Sequence, residues 1–156
     1  MLHLRRVRKD DCRLLWEWAN DPEVRAFSFS SEPIPWEEHI RWFQSKLSEV
    51  DCIFYIAMDS DMIPIGQVRY DIDRNEALIS VSIDRKFRSK GYGSQTIRLA
   101  SKRLLSIANV KVLHAYVKPN NGAAMRAFVK AGFQKGVTTA VRGHEAVHFA
   151  LRGDAL

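Results

Sequence analysis

The period of the hydrophobic pattern changes several times along the chain, and each change marks a new predicted element. Stretches in which apolar and polar residues alternate predict strands, whereas apolar residues three and four positions apart predict helices. The predicted strands cover residues 3–9, 52–59, 63–71, 77–84, 112–117, 133–140 and 146–151. The predicted helices begin after Asp11, at Pro35, at Gly93 and at Ala123.

The order of these elements, β-α-α-β-β-β-α-β-α-β-β, predicts the fold class. Three consecutive strands followed by a strand–helix–strand crossover are typical of an α/β (α+β) domain with helices on both faces of a mixed central sheet, here of about seven strands. No repeat, low-complexity tract or Pro/Gly/Ser-rich linker divides the sequence, so we predict a single domain over residues 1–156.

Proline and glycine residues set the predicted ends of several elements. A proline disfavours helical geometry in the residue before it, so the first helix is predicted to stop at Asn20-Asp21-Pro22. A loop is predicted over residues 28–35, and Gly132 is expected just beyond the end of the last helix. A hairpin around Arg142-Gly143 is predicted to close the chain.

The amino-acid composition indicates the cellular compartment in which we expect the protein. The chain is 46% hydrophobic and 27% charged, as in an ordinary globular protein. It has no apolar run near the roughly 20 residues of a membrane helix, and its basic N-terminus lacks the apolar stretch of a signal peptide. The two cysteines, Cys12 and Cys52, have neither metal-ligand nor redox spacing, so we expect a cytoplasmic protein without a metal site.

Charge is distributed unevenly between the two halves of the chain. Residues 1–78 contain 10 Lys+Arg and 15 Asp+Glu, a net charge of −5, whereas residues 79–156 contain 14 and 3, a net charge of +11. This asymmetry indicates an anionic ligand held by the C-terminal half. Charge alone is equally consistent with nucleic acid, a phosphorylated small molecule or a solvated basic surface.

The segment Arg88-Ser89-Lys90-Gly91-Tyr92-Gly93 joins a predicted strand to a predicted helix. Its glycines permit turn geometries closed to other residues and let a ligand approach the main chain closely. The helix that follows offers free N–H groups and the positive end of its dipole to an anion. Because there is no Gly-Lys-Ser/Thr and no third glycine, the segment is neither a nucleotide-hydrolysing P-loop nor a dinucleotide fingerprint.

This segment resembles the Arg/Gln-x-x-Gly-x-Gly/Ala motif of the GCN5-related N-acetyltransferase (GNAT) family. A second segment, with Asn121, Ala124, Phe128 and Gly132-Phe133, resembles the family's Asn-x-x-Ser/Ala-x-x-x-Tyr-x-x-x-Gly-Phe motif. The resemblance spans essentially the whole chain and implies the GNAT fold, with acetyl-CoA as co-substrate and no metal. The cofactor-binding residues that it implies are Val81, Ser82, Ile83, Arg88, Ser89, Lys90, Gly91, Tyr92, Gly93, Ser94, Asn121, Ala124 and Phe128.

The resemblance also implies that the acceptor amine attacks the thioester directly. Main-chain groups of residues 81–83 would hold the pantetheine arm, and one N–H there would face the developing oxyanion. The chain departs from the family at Phe128, where the family has the Tyr that protonates the departing thiolate. We predict that Tyr116 or a water molecule replaces that donor and that Glu76 is the base. The alternatives for the base are Asp84, His39, His114 and ordered water.

Two segments in the N-terminal part of the chain indicate the acceptor. Residues 16–25 and 36–43, the latter a Trp-Glu-x-His-x-x-Trp-Phe stretch, resemble two related GNAT groups. One group acetylates nucleotide-linked 4-amino sugars for pseudaminic-acid-type glycans, and the other acetylates the N-termini of ribosomal proteins. The first likeness is the stronger, so we predict a nucleotide-linked amino sugar as the small-molecule acceptor. Its predicted contacts are Ser30, Trp36 and His39, with Arg25, Arg69 and Lys118 for its diphosphate.

Other functions are compatible with parts of the sequence. An N-terminal acetyltransferase acting on a ribosomal protein is the alternative within the family. A domain that binds acetyl-CoA without turnover is a further alternative, motivated by the absence of the family's Tyr at Phe128. An RNA-binding module would suit the basic half, but that half lacks an aromatic-rich RNA-binding signature, so nucleic acid is not the expected partner.

Overall fold

Seven strands form one sheet in the computed structural model, in which residues 1–155 are described. The strands are β1 (His3–Arg6), β2 (Cys52–Met58), β3 (Pro64–Asp73), β4 (Glu76–Ile83), β5 (Val112–Val117), β6 (Gln134–Val141) and β7 (His144–Arg152). The helices are α1 (Cys12–Ala19), α2 (Pro22–Phe27), α3 (Trp36–Ser48), α4 (Tyr92–Ile107) and α5 (Gly122–Lys130). Within the described part of the chain, no helix is long and apolar enough to cross a membrane.

The strand order is β1-β2-β3-β4-β5-β7-β6, and one pair is parallel. That pair is β4 and β5, which α4 connects, as a parallel pair requires. Its pairing joins only residues 76–78 to residues 112–114, and the last matched residues are Leu78 and His114. The remainder of each strand has no partner on this side, which leaves a wedge between residues 79–83 and 115–117.

Helices cover both faces of the sheet, as predicted. Alternate side chains of the strands point to opposite faces, where they form two separate hydrophobic cores. On one face, α4 and α5 pack on side chains that include Tyr55, Val68 and Phe149. On the other face, α1 and α3 pack chiefly on β2, where Phe54 and Ile56 alternate with Tyr55. The mixed seven-stranded sheet of the predicted fold class is therefore confirmed.

The predicted element order lacks one helix. Pro22 ends α1 as predicted, but it also begins α2, because a proline is well tolerated in the first turn of a helix. The Asp21 carboxylate caps α2 by accepting hydrogen bonds from the backbone N–H groups of Glu23 (2.9 Å) and Val24 (3.3 Å). β1 is also shorter than predicted, since Lys9–Asp11 forms a 3₁₀ turn instead of extending the strand.

One buried hydrogen bond connects the sheet to α4. The Tyr70 side chain is fully buried, and its hydroxyl lies 2.7 Å from Oγ of Ser101, which is also fully buried. Burial raises the pKa of Tyr70, although the bond to Ser101 opposes this, so the phenol stays neutral at physiological pH.

Replacing Tyr70 by Phe should destabilise the protein, because it leaves the Ser101 hydroxyl buried without its partner. We expect the free energy of unfolding, measured by urea denaturation, to fall by about 1–3 kcal/mol. The double variant Tyr70→Phe/Ser101→Ala should regain most of that loss, since removing both partners leaves nothing unpaired. Tyr55→Phe is the matched control, because Tyr55 is also buried but its hydroxyl makes no hydrogen bond within residues 1–155. A double variant as unstable as the sum of its two single variants would contradict this account.

Candidate active site

The glycine turn, residues 88–93, has the backbone geometry of an anion site. Ser89 (φ 62°) and Gly91 (φ 83°) are both in the left-handed region, and Gly91 precedes the first residue of α4. No side chain caps α4, so its first N–H groups have neither an intrahelical partner nor a side-chain acceptor. These amides, at the positive end of a helix dipole, are free to bind a phosphate group.

The two basic side chains of this turn, Arg88 and Lys90, point in different directions. Lys90 is exposed, and its ammonium group lies 5.8 Å from the centre of the Phe87 ring. The Arg88 guanidinium instead contacts the carboxylates of Asp21 (3.4 Å) and Glu23 and the carbonyl oxygen of Ile83 (3.0 Å). Two acidic side chains therefore occupy the Arg88 guanidinium, and its place among the cofactor-binding residues stays a prediction.

The wedge between β4 and β5 presents main-chain groups without strand partners. Residues 81–83 are paired on their other side with residues 66–68 of β3. Toward β5 they have no ladder partner, and their side chains are partly buried. An extended ligand that carries amides can therefore bind here as an additional strand would.

The second predicted motif borders the same wedge through α5. The Asn121 side-chain oxygen caps α5 by accepting a hydrogen bond from Ala124 N (3.2 Å). Phe128 is 4% exposed and packs between Phe133 and Phe149, with ring centres 5.1 and 6.0 Å away. Phe128 is thus a core residue at the position where the family has a proton donor.

A row of polar side chains lies on the face of β4, β5 and β7 that is opposite α4 and α5. Neither α1 nor α3 packs its core over these strands, since their core residues pack against β2. This polar face consists of Glu76, Ser80, Ser82, His114, Tyr116 and His148.

Three residues of the polar face form a hydrogen-bonded chain. His114 Nε2 lies 2.9 Å from the Glu76 carboxylate, and His114 Nδ1 lies 2.8 Å from His148 Nε2. With Glu76 ionised and both imidazoles neutral, His114 donates from Nε2 and accepts the N–H of His148 at Nδ1. The structure thus brings two predicted candidates, Glu76 and His114, together with a residue that we did not predict. The ring of Tyr116, the predicted acid, stacks on His148 at 5.0 Å.

His148 could have been found from the sequence, because Val147 and Phe149 enter the core and alternation places His148 on the opposite face. Burial, and then the neighbouring His114, lower the pKa of His148, so its imidazole is neutral at physiological pH. A side chain at Gly136 would place its Cβ 3.3 Å from His148 Nδ1. The glycine therefore leaves that nitrogen uncovered and able to accept a proton.

A bridging segment, residues 21–29, crosses the ends of β4, β5 and β7 at the open side of the wedge. At one end, Asp21 contacts Arg88 just beyond β4. In the middle, the Lys118 ammonium group donates to the carbonyl oxygen of Ala26 (3.1 Å) just beyond β5. At the other end, the Phe29 ring lies 6.4 Å from that of His144, where β7 begins. The segment therefore forms a wall at one end of the polar face.

The three predicted acceptor contacts differ in accessibility. Ser30 is exposed next to the bridging segment. Trp36 is partly exposed and packs edge-on against Trp16 at 5.1 Å. His39 is only 2% exposed, and its Nε2 lies 2.8 Å from the carbonyl oxygen of Cys12. His39 therefore joins α3 to α1, and this geometry does not bring it to a surface that an acceptor can reach.

Comparison with known proteins identifies what the chain is similar to. A family model described as the acetyltransferase (GNAT) domain matches residues 1–134. The chain is also 28% identical over 135 residues to a protein of Methanocaldococcus jannaschii named Uncharacterized protein MJ1062. That match covers 85% of this chain but only 28% of the relative's length.

Solved structures share the fold over nearly the whole chain. The aminoglycoside acetyltransferase AAC(6')-Ib, in complex with coenzyme A, superposes with a TM-score of 0.86 at 21% identity and covers 99% of this chain and 96% of that one. Spermidine N-acetyltransferase from Vibrio cholerae, with CoA and spermine, gives 0.88 at 18% identity with the same coverage. A domain from Methanocaldococcus jannaschii gives 0.83 at 23% identity and covers 97% and 98%. At these identities the likeness establishes the fold.

Substituting Gly91 by Val should abolish binding of acetyl-CoA at the glycine turn. A side chain at φ 83° strains the turn by about 1–2 kcal/mol and occupies the space in front of the free amides. In thermal melts, acetyl-CoA should raise the melting temperature of the unsubstituted protein but not that of Gly91→Val.

Gly143→Val is the matched control, because Gly143 has a similar φ of 78° in the distant β6–β7 turn. Both variants should lose similar stability without ligand, and only Gly143→Val should keep the shift with acetyl-CoA. An undiminished shift in Gly91→Val would show that the cofactor binds elsewhere.

Proposed function

Because the chain belongs to the GNAT family of acetyltransferases, we propose that it transfers the acetyl group of acetyl-CoA to the primary amine of a nucleotide-linked amino sugar. One observation carries the proposal: the wedge has an anion-binding turn beyond its open end and a row of polar side chains along one face. A cofactor in the wedge and an acceptor on the polar face would meet between β4 and β5.

The residues around the wedge fit acetyl-CoA in two respects. The uncapped amides of α4 and the exposed Lys90 suit a pyrophosphate. The main-chain groups of residues 81–83 that have no partner on β5 suit the amides of a pantetheine arm, except for the Ile83 carbonyl oxygen, which accepts a hydrogen bond from Arg88. Acetyl-CoA supplies an activated thioester, so the protein itself has to position the amine and move protons.

Proton removal is the first task, because a primary amine is an ammonium ion at physiological pH. The chain of Glu76, His114 and His148 is suited to this task because it lies where the wedge closes, next to the Leu78–His114 pair. Glu76, whose side chain is 55% exposed, takes the proton from the amine and delivers it to solvent. His114 and His148 position its carboxylate through the hydrogen bonds of the chain.

Proton donation to the leaving thiolate is the second task, and we assign it to Tyr116. Its side chain is on β5 beside the wedge, 37% exposed and stacked on His148. A phenol with a pKa of about 10 protonates a thiolate with a pKa of about 8.5 only when the site brings the two values together. Phe128 offers no proton, so the donor has to be another group, and a water molecule is the alternative to Tyr116.

The polar face favours an acceptor with many hydroxyl groups. Ser80 accepts a hydrogen bond from Arg69 (3.2 Å), and Ser82 accepts one from Gln67 (3.0 Å). The Gln67 side-chain oxygen is buried and has no partner among the described residues. Amines on sugars are also the acceptor chemistry of a solved relative, since AAC(6')-Ib has been crystallised with kanamycin and with ribostamycin.

The three cations predicted to bind the acceptor's diphosphate differ in how far protein groups already occupy their hydrogen-bond donors. Arg25 is bound by the carbonyl oxygens of Ala19 and Ser30, both at 2.7 Å. Arg69 pairs with Asp71 at 3.0 Å. Lys118 makes one bond, to Ala26, and keeps donors for a phosphate group near the open end of the wedge.

An N-terminal peptide is the second candidate acceptor, and the openness of the polar face favours it. Leu78 and Tyr116, in the middle of this face, are 40% and 37% exposed. A surface that nothing covers there has room for a peptide chain on either side of the reacting amine.

We predict that the enzyme releases thiol from acetyl-CoA with nucleotide-linked amino sugars and not with N-terminal peptides. An anionic acceptor should also have a Michaelis constant that rises with salt concentration. Dissolved ions screen the attraction between the acceptor and the protein's cations, with a Debye length of about 8 Å at physiological ionic strength. The same assay with a neutral amino sugar lacking the nucleotide is the control, and its Michaelis constant should be nearly independent of salt. Turnover with peptides alone would replace the sugar proposal by the N-terminal acetyltransferase.

Loss of either proton-transfer group should lower kcat. Glu76→Gln and Tyr116→Phe should each reduce kcat by about 10² to 10⁴, the usual effect of a positioned acid or base. The matched controls are Glu145→Gln and Tyr55→Phe, which should leave kcat unchanged.

Adding Phe128→Tyr to Tyr116→Phe supplies a donor at the family's usual position and should restore part of the lost rate. Unchanged turnover in Tyr116→Phe, when chemistry limits the rate, would exclude Tyr116 as the acid.

A further inference from the structure

The guanidinium of Arg88 belongs to the glycine turn, but its hydrogen bonds go to the bridging segment. Its Nη atoms contact Asp21 and Glu23 at the start of α2, and its Nε donates to Ile83 at the end of β4. The side chain is only 25% exposed. Arg88 therefore connects the main chain of the proposed cofactor site to the first turn of α2.

The two carboxylate partners of Arg88 have different structural roles. Burial raises the pKa of Asp21, but the N–H groups of α2 and the charge of Arg88 outweigh this and lower it overall. Ionised Asp21 caps α2 by accepting from the backbone N–H groups of Glu23 and Val24, while the Glu23 side chain contacts Arg88 and takes no part in the cap. Glu23 can therefore be changed without removing the helix cap.

The bridging segment forms one wall of the polar face through contacts at its far end. Lys118 holds the carbonyl oxygen of Ala26, and Phe29 lies against His144. A change in the mobility of residues 88–93 can thus affect the acceptor side of the wedge through the contacts of a single side chain, that of Arg88.

We propose that Arg88 and Glu23 are positioning residues that couple acetyl-CoA binding at the glycine turn to the order of the bridging segment. The inference rests on the proposed cofactor site but not on the identity of the acceptor. An anion held by the amides of α4 restrains a turn in which Ser89 and Gly91 have positive φ. A restrained Arg88 then holds both carboxylates at a smaller cost in conformational entropy. By linkage, the cofactor raises the affinity for the acceptor, and the acceptor raises that for the cofactor by the same factor.

Hydrogen exchange with coenzyme A as the probe tests this coupling without an acceptor. The reporters are the amides of Arg25 and Ser28, which are bonded within the segment to the carbonyl oxygens of Asp21 and Arg25. Coenzyme A should slow their exchange by at least about fivefold, the lower end of ordinary coupling between sites. In Glu23→Gln, coenzyme A should still bind but this protection should be lost, whereas Glu23→Asp, which keeps the charge, should retain part of it.

Glu37→Gln is the matched control, because Glu37 is exposed in the first turn of α3 and has no hydrogen bond within residues 1–155. It should show the same protection as the unsubstituted protein. Protection that survives in Glu23→Gln, or faster exchange with coenzyme A, would overturn the coupling. A melting temperature that coenzyme A does not raise would instead contradict the cofactor site itself.

Discussion

Three residue pairs hold β4 against β5, and both proposed binding sites depend on the shortness of that contact. β4 is paired with β3 along its whole length, and β5 is paired with β7 along its whole length. Pairing with β3 fixes β4, and pairing with β7 fixes β5. The twist of the sheet can therefore separate β4 from β5 beyond Leu78 and His114. This separation leaves main-chain groups of β4 and β5 without strand partners. It also forms the wedge, which is open to both faces of the sheet.

The two halves of the chain, which have opposite net charges, contribute different elements around this opening. The acidic first half supplies α1, α2 and α3, while the basic second half supplies the glycine turn, α4 and α5. The halves meet where Asp21 and Glu23 contact Arg88. A charge asymmetry that first indicated only an anionic ligand thus also stabilises a contact between distant parts of the chain.

Most of the fold could be predicted because its signals are local. Alternation around Ala77 and Ile79 predicted β4, and the two glycines before an amphipathic stretch predicted the turn into α4. α2 was missed because six residues are too few for a clear helical period, and its cap residue precedes a proline that also ends α1.

The candidate site could be predicted only in part, because its geometry depends on contacts between residues far apart in the chain. Glu76, His114 and Tyr116 could be singled out by residue type, but their arrangement depends on the pairing of β5 with β7. The burial of His39 depends on how α3 packs against α1, and the direction of Arg88 depends on α2. The cofactor contacts themselves stay predictions.

The alignment of His148, His114 and Glu76 has a consequence for successive turnovers. A proton that passed along the whole chain would convert both imidazoles to the opposite tautomer. Rotation of a ring could not reverse that change, because rotation does not move a proton from one ring nitrogen to the other. It is also hindered, since His148 is stacked against both His114 and Tyr116 with ring centres 5.0 Å apart. A base at Glu76, whose side chain is 55% exposed, would exchange its proton with solvent directly. Successive acceptors would then be deprotonated without any step that resets the two imidazoles.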